Sequence, residues 1–100
     1  MLTEYQIIKA HKIAKHYGLR KQKFQALQEL NELSGVLLRR KDQIDNNFEH
    51  ENNMIDEIAD VYVMLQQLQV LYHIDPHRIS DRISYKLNRQ LERIEQEGMQ

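Results

Sequence analysis

The sequence predicts a small all-α protein, and two observations carry that prediction. Only three glycines and one proline interrupt its 100 residues, although turns usually need such residues. Apolar residues recur three and four positions apart along most of the chain, which is the period of one helix face. Cysteine is absent, so no disulfide framework or thiolate metal site is available. We expect one domain, residues 1–100, folded as a four-helix antiparallel bundle that oligomerisation completes.

The first two helices are expected to meet at a glycine. The first should begin at Thr3, where "TEYQ" forms a capping box in which Gln6 reaches back to the cap. Gly18 should stop it, because glycine adopts the positive φ with which helices commonly end. The second helix is predicted from about Arg20 to Arg40. Its apolar stripe consists of Phe24, Leu27, Leu30, Leu33, Leu37 and Leu38.

The third helix follows a predicted loop at 42–52, where asparagine and aspartate accumulate and the apolar period is lost. It should run from about Asn53 to Tyr72. Because this helix is apolar on nearly all sides, we expect it at the centre of the bundle or in a subunit contact.

The fourth helix is predicted from its cap. Asp75 is a good N-cap and Pro76 suits the first helical position. The helix should reach about Glu97 and stop at Gly98. Its apolar stripe consists of Ile79, Ile83, Leu87, Leu91 and Ile94.

Bulk composition excludes several classes of partner. The formal net charge is −1, from 14 basic and 15 acidic residues, so nothing draws the whole chain to nucleic acid or anionic membranes. No apolar run approaches the length of a membrane span, and the N-terminus lacks the pattern of a signal peptide. We therefore expect a cytoplasmic protein with no nucleic-acid or membrane partner. A chain this short buries little core by itself, so a homodimer or homotetramer is expected.

Acidic residues inside the most apolar helices suggest a metal site. Glu57 and Asp60 are three apart and share one face of the third helix, whereas Asp56 points elsewhere and should face solvent. Glu29 and Glu32 repeat this spacing among leucines of the second helix. Four converging carboxylates repel one another unless a cation lies between them. Oxygen ligands favour Mg²⁺, or Mn²⁺, over zinc, and Mg²⁺ commonly binds phosphate oxygens as well.

The alternative is that both acidic pairs are ordinary solvated helix surface, which is the commonest role of such spacing. Two features favour the metal site. Both pairs lie in strongly apolar segments, and neither pair has the lysine or arginine one turn later that a surface ion pair would use.

The acidic segments also resemble a known motif. "QELNEL" at 28–33 followed by "DEIADV" at 56–61 is similar to the EExxE and ExxD motifs of MazG-like all-α nucleoside triphosphate pyrophosphohydrolases. The resemblance covers about residues 16–95. One position departs from it, because the first glutamate of EExxE is Gln28 here. The four matching residues are Glu29, Glu32, Glu57 and Asp60.

This resemblance implies hydrolysis of a (deoxy)nucleoside triphosphate to the monophosphate and pyrophosphate. The same four carboxylates would be the catalytic residues and the Mg²⁺ ligands. Asn53, one turn before Glu57, would hydrogen-bond the substrate. Lys86 and Arg89, in the "K-L-x-R" of the last helix, would face the phosphates, although without the resemblance they would be assigned to a solvated face. Two alternatives stay open: activity on phosphoribosyl-ATP, and a non-enzymatic helical interaction module with a degenerate site, to which Gln28 points.

The five histidines do not suggest a second metal site. His73 and His77 are separated by Pro76, which breaks a shared helix face. His11 and His16 diverge around their helix. We expect isolated surface histidines, because a histidine metal site needs convergent ligands.

Overall fold

The computed structural model describes residues 2–39 and 41–99. Three helices make up this part of the chain, α1 (Glu4–Leu37), α2 (Asn47–Leu71) and α3 (Pro76–Gly98), with a short 3₁₀ turn at Lys41–Gln43 and no strand. The predicted all-α class is confirmed. In the same described residues, no helix has the long apolar run that crossing a bilayer requires.

Helix α1 begins with the predicted capping box. The backbone N–H of Gln6 donates to the Thr3 hydroxyl at 3.2 Å, and the Thr3 N–H donates to the Gln6 side-chain carbonyl at 2.8 Å. Two N–H groups that the helix itself leaves without acceptors are thereby satisfied.

Gly18 divides α1 into two parts, which we call α1N (residues 4–17) and α1C (residues 19–37). Its φ of 84° and ψ of 169° are not helical, and this region of conformational space is essentially restricted to glycine. The predicted stop at Gly18 is confirmed, although the next helix follows with no linker. Helix α1 ends at Leu37, a little before the predicted end at Arg40, which lies outside the described residues.

The break at Gly18 allows both parts of α1 to contact α2. The Gln66 amide hydrogen-bonds Nε2 of His11 at 3.1 Å, and Gln22 donates to Oε1 of Gln67 at 2.6 Å. In a straight helix, His11 and Gln22 would be about 16 Å apart along the axis, yet their partners on α2 are consecutive residues. The prediction of isolated surface histidines is therefore wrong for His11, because the direction of the break brings it against α2.

The core between α1 and α2 is built from small residues around a polar pair. Gln22 is 5% exposed and Gln67 only 2% exposed. Leaving either amide buried without its partner would lower the stability of the fold by about 1–3 kcal/mol. The pair therefore fixes the register of α1C against α2. The buried apolar residues of this core are Ala10, Ala14, Ala26, Val36 and Met64.

Helix α2 begins earlier than predicted, so the expected loop at 42–52 is wrong from Asn47 onward. Asn46 is the N-cap, and its side-chain oxygen accepts the N–H of Glu49 at 3.1 Å. A cap followed three residues later by Glu starts a helix even where the apolar period is missing. Asn53 consequently lies inside the helix and not at its first turn.

Helix α3 begins and ends close to the predicted positions, but it packs along neither α1 nor α2 within the described residues. Asp75 caps it by accepting the His77 N–H at 2.9 Å, and Pro76 is its first residue. No residue of α3 is buried. In this conformation a single chain therefore does not form the expected four-helix antiparallel bundle, because the apolar face of α3 has no covering helix.

The chain exposes much more surface than a compact monomer of its size. Its accessible surface is 8672 Å², whereas a folded monomer of 12.1 kDa exposes about 6,000 Å². Its radius of gyration is 17.1 Å, compared with about 13 Å for a compact domain of this length. Both values reflect the separate position of α3.

We predict that Gly18→Ala lowers the free energy of unfolding by about 1–3 kcal/mol, because alanine is strained at this φ and ψ. No atom lies within 4 Å of the added methyl group, so the cost is conformational and not steric. Urea denaturation measures it. The matched control is Gly35→Ala, also in open space but in helical backbone, which should raise stability by about 0.5–1 kcal/mol. Equal effects of the two substitutions would contradict the role of Gly18.

Candidate metal centre

The four carboxylates identified in the sequence meet between α1C and α2. One carboxylate oxygen from each of Glu29, Glu32, Glu57 and Asp60 can be chosen so that all four lie within 4.8 Å of one another. Because the two helices are antiparallel, Asp60 contacts Glu29 and Glu57 contacts Glu32. On each helix, the spacing of three residues places the two acids on the same face, about one turn apart. The cluster therefore extends along the helices as well as between them.

The cluster has an unfavourable charge balance by itself. Desolvation raises the pKa of Glu57 above its ordinary 4.5, and the neighbouring carboxylates, Glu32 first, raise it further. Desolvation likewise raises the pKa of Asp60 above 3.8, followed by the charge and contact of Glu29. Asp56 is exposed, as predicted, but its charge also acts on Asp60. Every one of these influences disfavours the ionised forms, and either protonation or a bound cation would relieve the repulsion.

Two oxygens of the cluster are buried without a hydrogen-bond partner, Oε2 of Glu29 and Oε2 of Glu57. A buried carboxylate oxygen without a donor is costly, and such an atom in a native structure requires an explanation. A hard cation with oxygen ligands supplies one. The residues present therefore fit Mg²⁺ or Mn²⁺, with Glu29, Glu32, Glu57 and Asp60 as the available ligands.

Two glutamines of α1C orient the glutamates of the cluster. Gln25 donates to Oε1 of Glu29 at 2.8 Å, and Gln28 donates to Oε1 of Glu32 at 3.4 Å. Each amide donates to one oxygen of its glutamate, and groups behind metal ligands commonly orient them in this way. Gln28 thus has a supporting contact at the position where the resembled motif has glutamate. Gln25 was not predicted, although its spacing of four from Glu29 could have indicated it.

A polar cavity of about 180 Å³ lies beside the cluster at the start of α2. Asn53 lines it and is half-buried, four positions before Glu57 on the same helix face. His50 also lines the cavity, and its Nδ1 is buried without a partner. The sequence did not identify His50, because 42–52 was predicted as a loop. The Asn46 to Glu49 capping spacing was the signal that would have placed His50 on a helix near Asn53.

The two cations predicted to face the phosphates are not part of this cluster within one chain. Lys86 and Arg89 lie on α3 and are exposed. Helix α3 does not pack along the helices that carry the carboxylates. The chain therefore brings together the acidic residues and Asn53, but leaves the basic residues on a separate helix.

We predict that the metal-free protein loses stability as the pH rises toward neutrality, and that Glu57→Gln reduces this loss. The folded state retains the Glu57 proton at a higher pH than the unfolded state does. The stabilisation is therefore complete below 4.5 and is lost as the pH passes the raised pKa. Mg²⁺ at 100 times its Kd should restore about 2.7 kcal/mol to the wild type at neutral pH, and much less to Glu57→Gln.

Thermal and urea unfolding across this pH range, with and without Mg²⁺, measure both effects. The matched control is Glu51→Gln, an exposed glutamate of the same helix. If Glu57→Gln and Glu51→Gln respond identically to pH and to Mg²⁺, the carboxylates do not act as one cluster.

We predict that Gln28→Ala weakens Mg²⁺ affinity about 10-fold, since Glu32 loses the amide that orients it. Gln28→Glu should instead destabilise the metal-free protein at neutral pH by adding a fifth negative charge, and Mg²⁺ should reverse that loss. Isothermal titration calorimetry and thermal unfolding measure these changes. Asn31→Ala, an exposed neighbour on the same helix, is the control. Unchanged affinity in Gln28→Ala would show that the contact has no orienting role.

Comparison with family models, with curated proteins and with solved structures found no match to this chain. The resemblance of "QELNEL" and "DEIADV" to the paired MazG-like motifs therefore stays a prediction from the sequence. The carboxylate cluster and the residues beside it are the features of the molecule that bear on its function.

Proposed function

We propose that this protein is a cytoplasmic, Mg²⁺-dependent nucleoside triphosphate pyrophosphohydrolase of the MazG-like all-α type. It would convert a (deoxy)nucleoside triphosphate and water to the monophosphate and pyrophosphate. The observation that carries the proposal is the meeting of Glu29, Glu32, Glu57 and Asp60, with buried oxygens that lack partners. A site built only from carboxylates, on two packed helices, is suited to holding the cation of a metal–triphosphate complex.

The chemistry divides between the cation and the protein. When bound, Mg²⁺ neutralises phosphate charge and makes a coordinated water more acidic. The four carboxylates hold the cation in place, and Gln25 and Gln28 hold two of those carboxylates in position. Attack on the α-phosphorus needs positioning and charge stabilisation more than a covalent intermediate. The proposal consequently assigns no side chain as a nucleophile.

The nucleoside would lie along α2, toward its N-terminus. Asn53 and His50 line the polar cavity on this side of the cluster. At about 30 Å³ for each water, its volume corresponds to roughly six waters. This is room for part of a nucleoside and less than a drug-sized pocket of about 300–1,000 Å³. Asn53 can donate and accept hydrogen bonds, and so can a neutral His50.

A non-enzymatic interaction module is the second candidate, because Gln28 replaces a charged residue of the resembled motif. The hydrogen bond from Gln28 to Glu32 supports a role in orienting a ligand and weakens this candidate. Hydrolysis of phosphoribosyl-ATP is a related alternative that uses the same α-phosphorus chemistry, and it can be included in one assay.

We predict release of pyrophosphate and a nucleoside monophosphate when the protein is incubated with Mg²⁺ and a panel of ribo- and deoxyribonucleoside triphosphates and phosphoribosyl-ATP. Glu57→Gln and Asp60→Asn should each lower kcat/KM by at least about 100-fold, because each removes a charge that holds the cation. Glu51→Gln is the control and should retain wild-type activity. In ¹⁸O-labelled water, the label should enter the monophosphate, which identifies attack at the α-phosphorus.

Two results would contradict this proposal in different ways. Inorganic phosphate as the first product would exclude attack at the α-phosphorus. No pyrophosphate release above the level of the Asp60→Asn variant, across the whole panel, would leave the non-enzymatic module as the better description.

A further inference from the structure

Charge is distributed unevenly along the chain, although its formal net charge is only −1. Residues 5–28 contain six basic residues and no acidic one, so the rest of the chain carries a net negative charge. An asymmetry of this kind is typical of chains whose basic part binds a polyanion. We call residues 9–23 the basic segment. Its basic residues, all of them exposed, are Lys9, Lys12, Lys15, Arg20, Lys21 and Lys23.

The lysines of α1N occupy the side of that helix that faces away from α2. Ala10 and Ala14 are buried, and Lys12 lies two positions from each of them. Two positions turn a helix by about 200°, so Lys12 marks the centre of the exposed side. Lys9 and Lys15 lie three positions to either side of Lys12. The helix therefore presents a row of cations that α2 does not cover.

An aromatic contact carries this row across the break at Gly18. Nζ of Lys21 lies 4.3 Å from the ring centroid of Tyr17, which is the geometry of a cation–π interaction. The Tyr17 ring also packs edge-to-face against His16, with 4.8 Å between the ring centroids. These contacts hold a lysine of α1C beside the end of α1N, so the cations of the two parts lie close together.

The neighbouring part of α2 does not neutralise the basic segment. His11 meets Gln66 at this end of the helix pair, and residues 61–72 of α2 contain no acidic residue. At the other end, the charged groups that shift the pKa values of Glu57 and Asp60 are all carboxylates. The helix pair therefore has a basic end and an acidic end, and the cations of the basic segment remain available to a ligand.

Two large aromatic side chains flank the basic segment and are open to solvent. Tyr5 is 79% exposed and Phe24 is 65% exposed. Each lies four positions from a basic residue, Lys9 and Arg20 respectively, and therefore shares a helix face with it. Cations for the phosphates and aromatic rings for the bases are the two components with which proteins bind single-stranded nucleic acids.

A membrane surface and a duplex fit these features less well. A helix that lies in a membrane interface turns a continuous apolar face toward the acyl chains, whereas the exposed side of α1N is centred on Lys12. Stacking on aromatic rings needs bases that are unpaired. Lysine, which supplies most of the charge, contacts phosphate as a point charge and does not read base edges as arginine does. The expected ligand is consequently a single strand, bound with little sequence preference.

We infer that the basic segment binds single-stranded nucleic acid, with its cations on the phosphates and with Tyr5 and Phe24 stacked on bases. The expectation of no nucleic-acid partner was based on the net charge of the whole chain. The separation of charge between the two ends of the helix pair removes that basis. The inference is independent of the proposed function, because the carboxylate cluster takes no part in it.

Fluorescence anisotropy with labelled oligothymidylate and oligouridylate tests the inference. Strands of about 20 nucleotides exceed the roughly 4–16 nucleotides that a small single-strand-binding domain covers. EDTA is present, so that no metal bound by the carboxylates contributes. Binding should weaken with salt, with a log–log slope of about −0.7 for each phosphate contacted. Glu57→Gln, which is expected to lose hydrolytic activity, should retain this binding.

Substitution of the three lysines of α1N tests the position of the contact. Lys9→Gln/Lys12→Gln/Lys15→Gln should make the salt slope shallower by about 2, because three phosphate contacts are lost. The matched control, Arg78→Gln/Arg82→Gln/Arg93→Gln, removes the same charge from exposed positions of α3 and should keep the wild-type slope. Circular dichroism confirms that both triple variants remain helical.

Substitution of Phe24 tests the stacking separately from the charge. Phe24→Ala should weaken binding to the single strands about 10-fold, with an unchanged salt slope because no cation is removed. Phe48→Ala is the matched control, since Phe48 is 74% exposed but lies at the start of α2, outside the basic segment. It should bind as the wild type does.

Four results would overturn the inference. One is the absence of binding to either oligonucleotide at about 50 mM salt. Equal losses in the α1N and α3 triple variants would show that only the total charge matters. Tighter binding to a duplex than to its separate strands would exclude the stacking role of the aromatic rings. Flotation with phosphatidylserine vesicles, without binding to the oligonucleotides, would assign the basic segment to a membrane surface instead.

Discussion

The buried hydrogen bond between Gln22 and Gln67 is the contact on which the geometry of the site depends. It joins α1C to α2 at 2.6 Å, in a core whose other buried residues are three alanines, a valine and a methionine. Antiparallel helices joined at this point place Glu29 beside Asp60, and Glu32 beside Glu57, further along the same contact. A shift of either helix by one turn would leave an amide buried without a partner, which costs about 1–3 kcal/mol. The Gln22–Gln67 pair, several residues away, therefore sets the helix register that brings the carboxylates together.

The conflict between stability and function is concentrated in the carboxylates. The neighbouring carboxylates raise the pKa values of Glu57 and Asp60, and their repulsion opposes the packing that the glutamine pair maintains. Natural proteins commonly tolerate such conflicts at the positions that carry function, because the cost is recovered elsewhere or by a ligand. Gln25 and Gln28 lower this cost, because each donates a hydrogen bond to one oxygen of Glu29 or Glu32.

The sequence predicted those features of the fold and the site that depend on local chemistry. The Thr3 and Asp75 caps, the stop at Gly18 and the two acidic pairs all follow from residues within a few positions of one another. The start of α2 was missed because the Asn46 cap, and not the apolar period, determines it. The contact of His11 with Gln66 could not be predicted, since it depends on the direction the chain takes after Gly18.

The location of α3 illustrates a second kind of limit on prediction from sequence. Its amphipathic pattern identifies which face is apolar, but the pattern is the same whether the covering surface belongs to its own chain or to another copy. In the described residues, the hydrogen bonds that end α2 direct α3 away from its own α1 and α2. The apolar pattern therefore predicts the helices themselves. It does not predict which surface covers the apolar face of α3.

The small residues between α1 and α2 have a consequence for ion selectivity. Ala26, 3% exposed, lies one turn before Glu29 and allows the two helices to approach closely. Mg²⁺ requires ligand distances of about 2.0–2.1 Å, whereas Ca²⁺ requires about 2.3–2.6 Å and more ligands. Ala26 and the buried Gln22–Gln67 pair keep the two helices close together beside the carboxylates. Under the proposed function, close packing at Ala26 would therefore favour the ion with the shorter ligand distances.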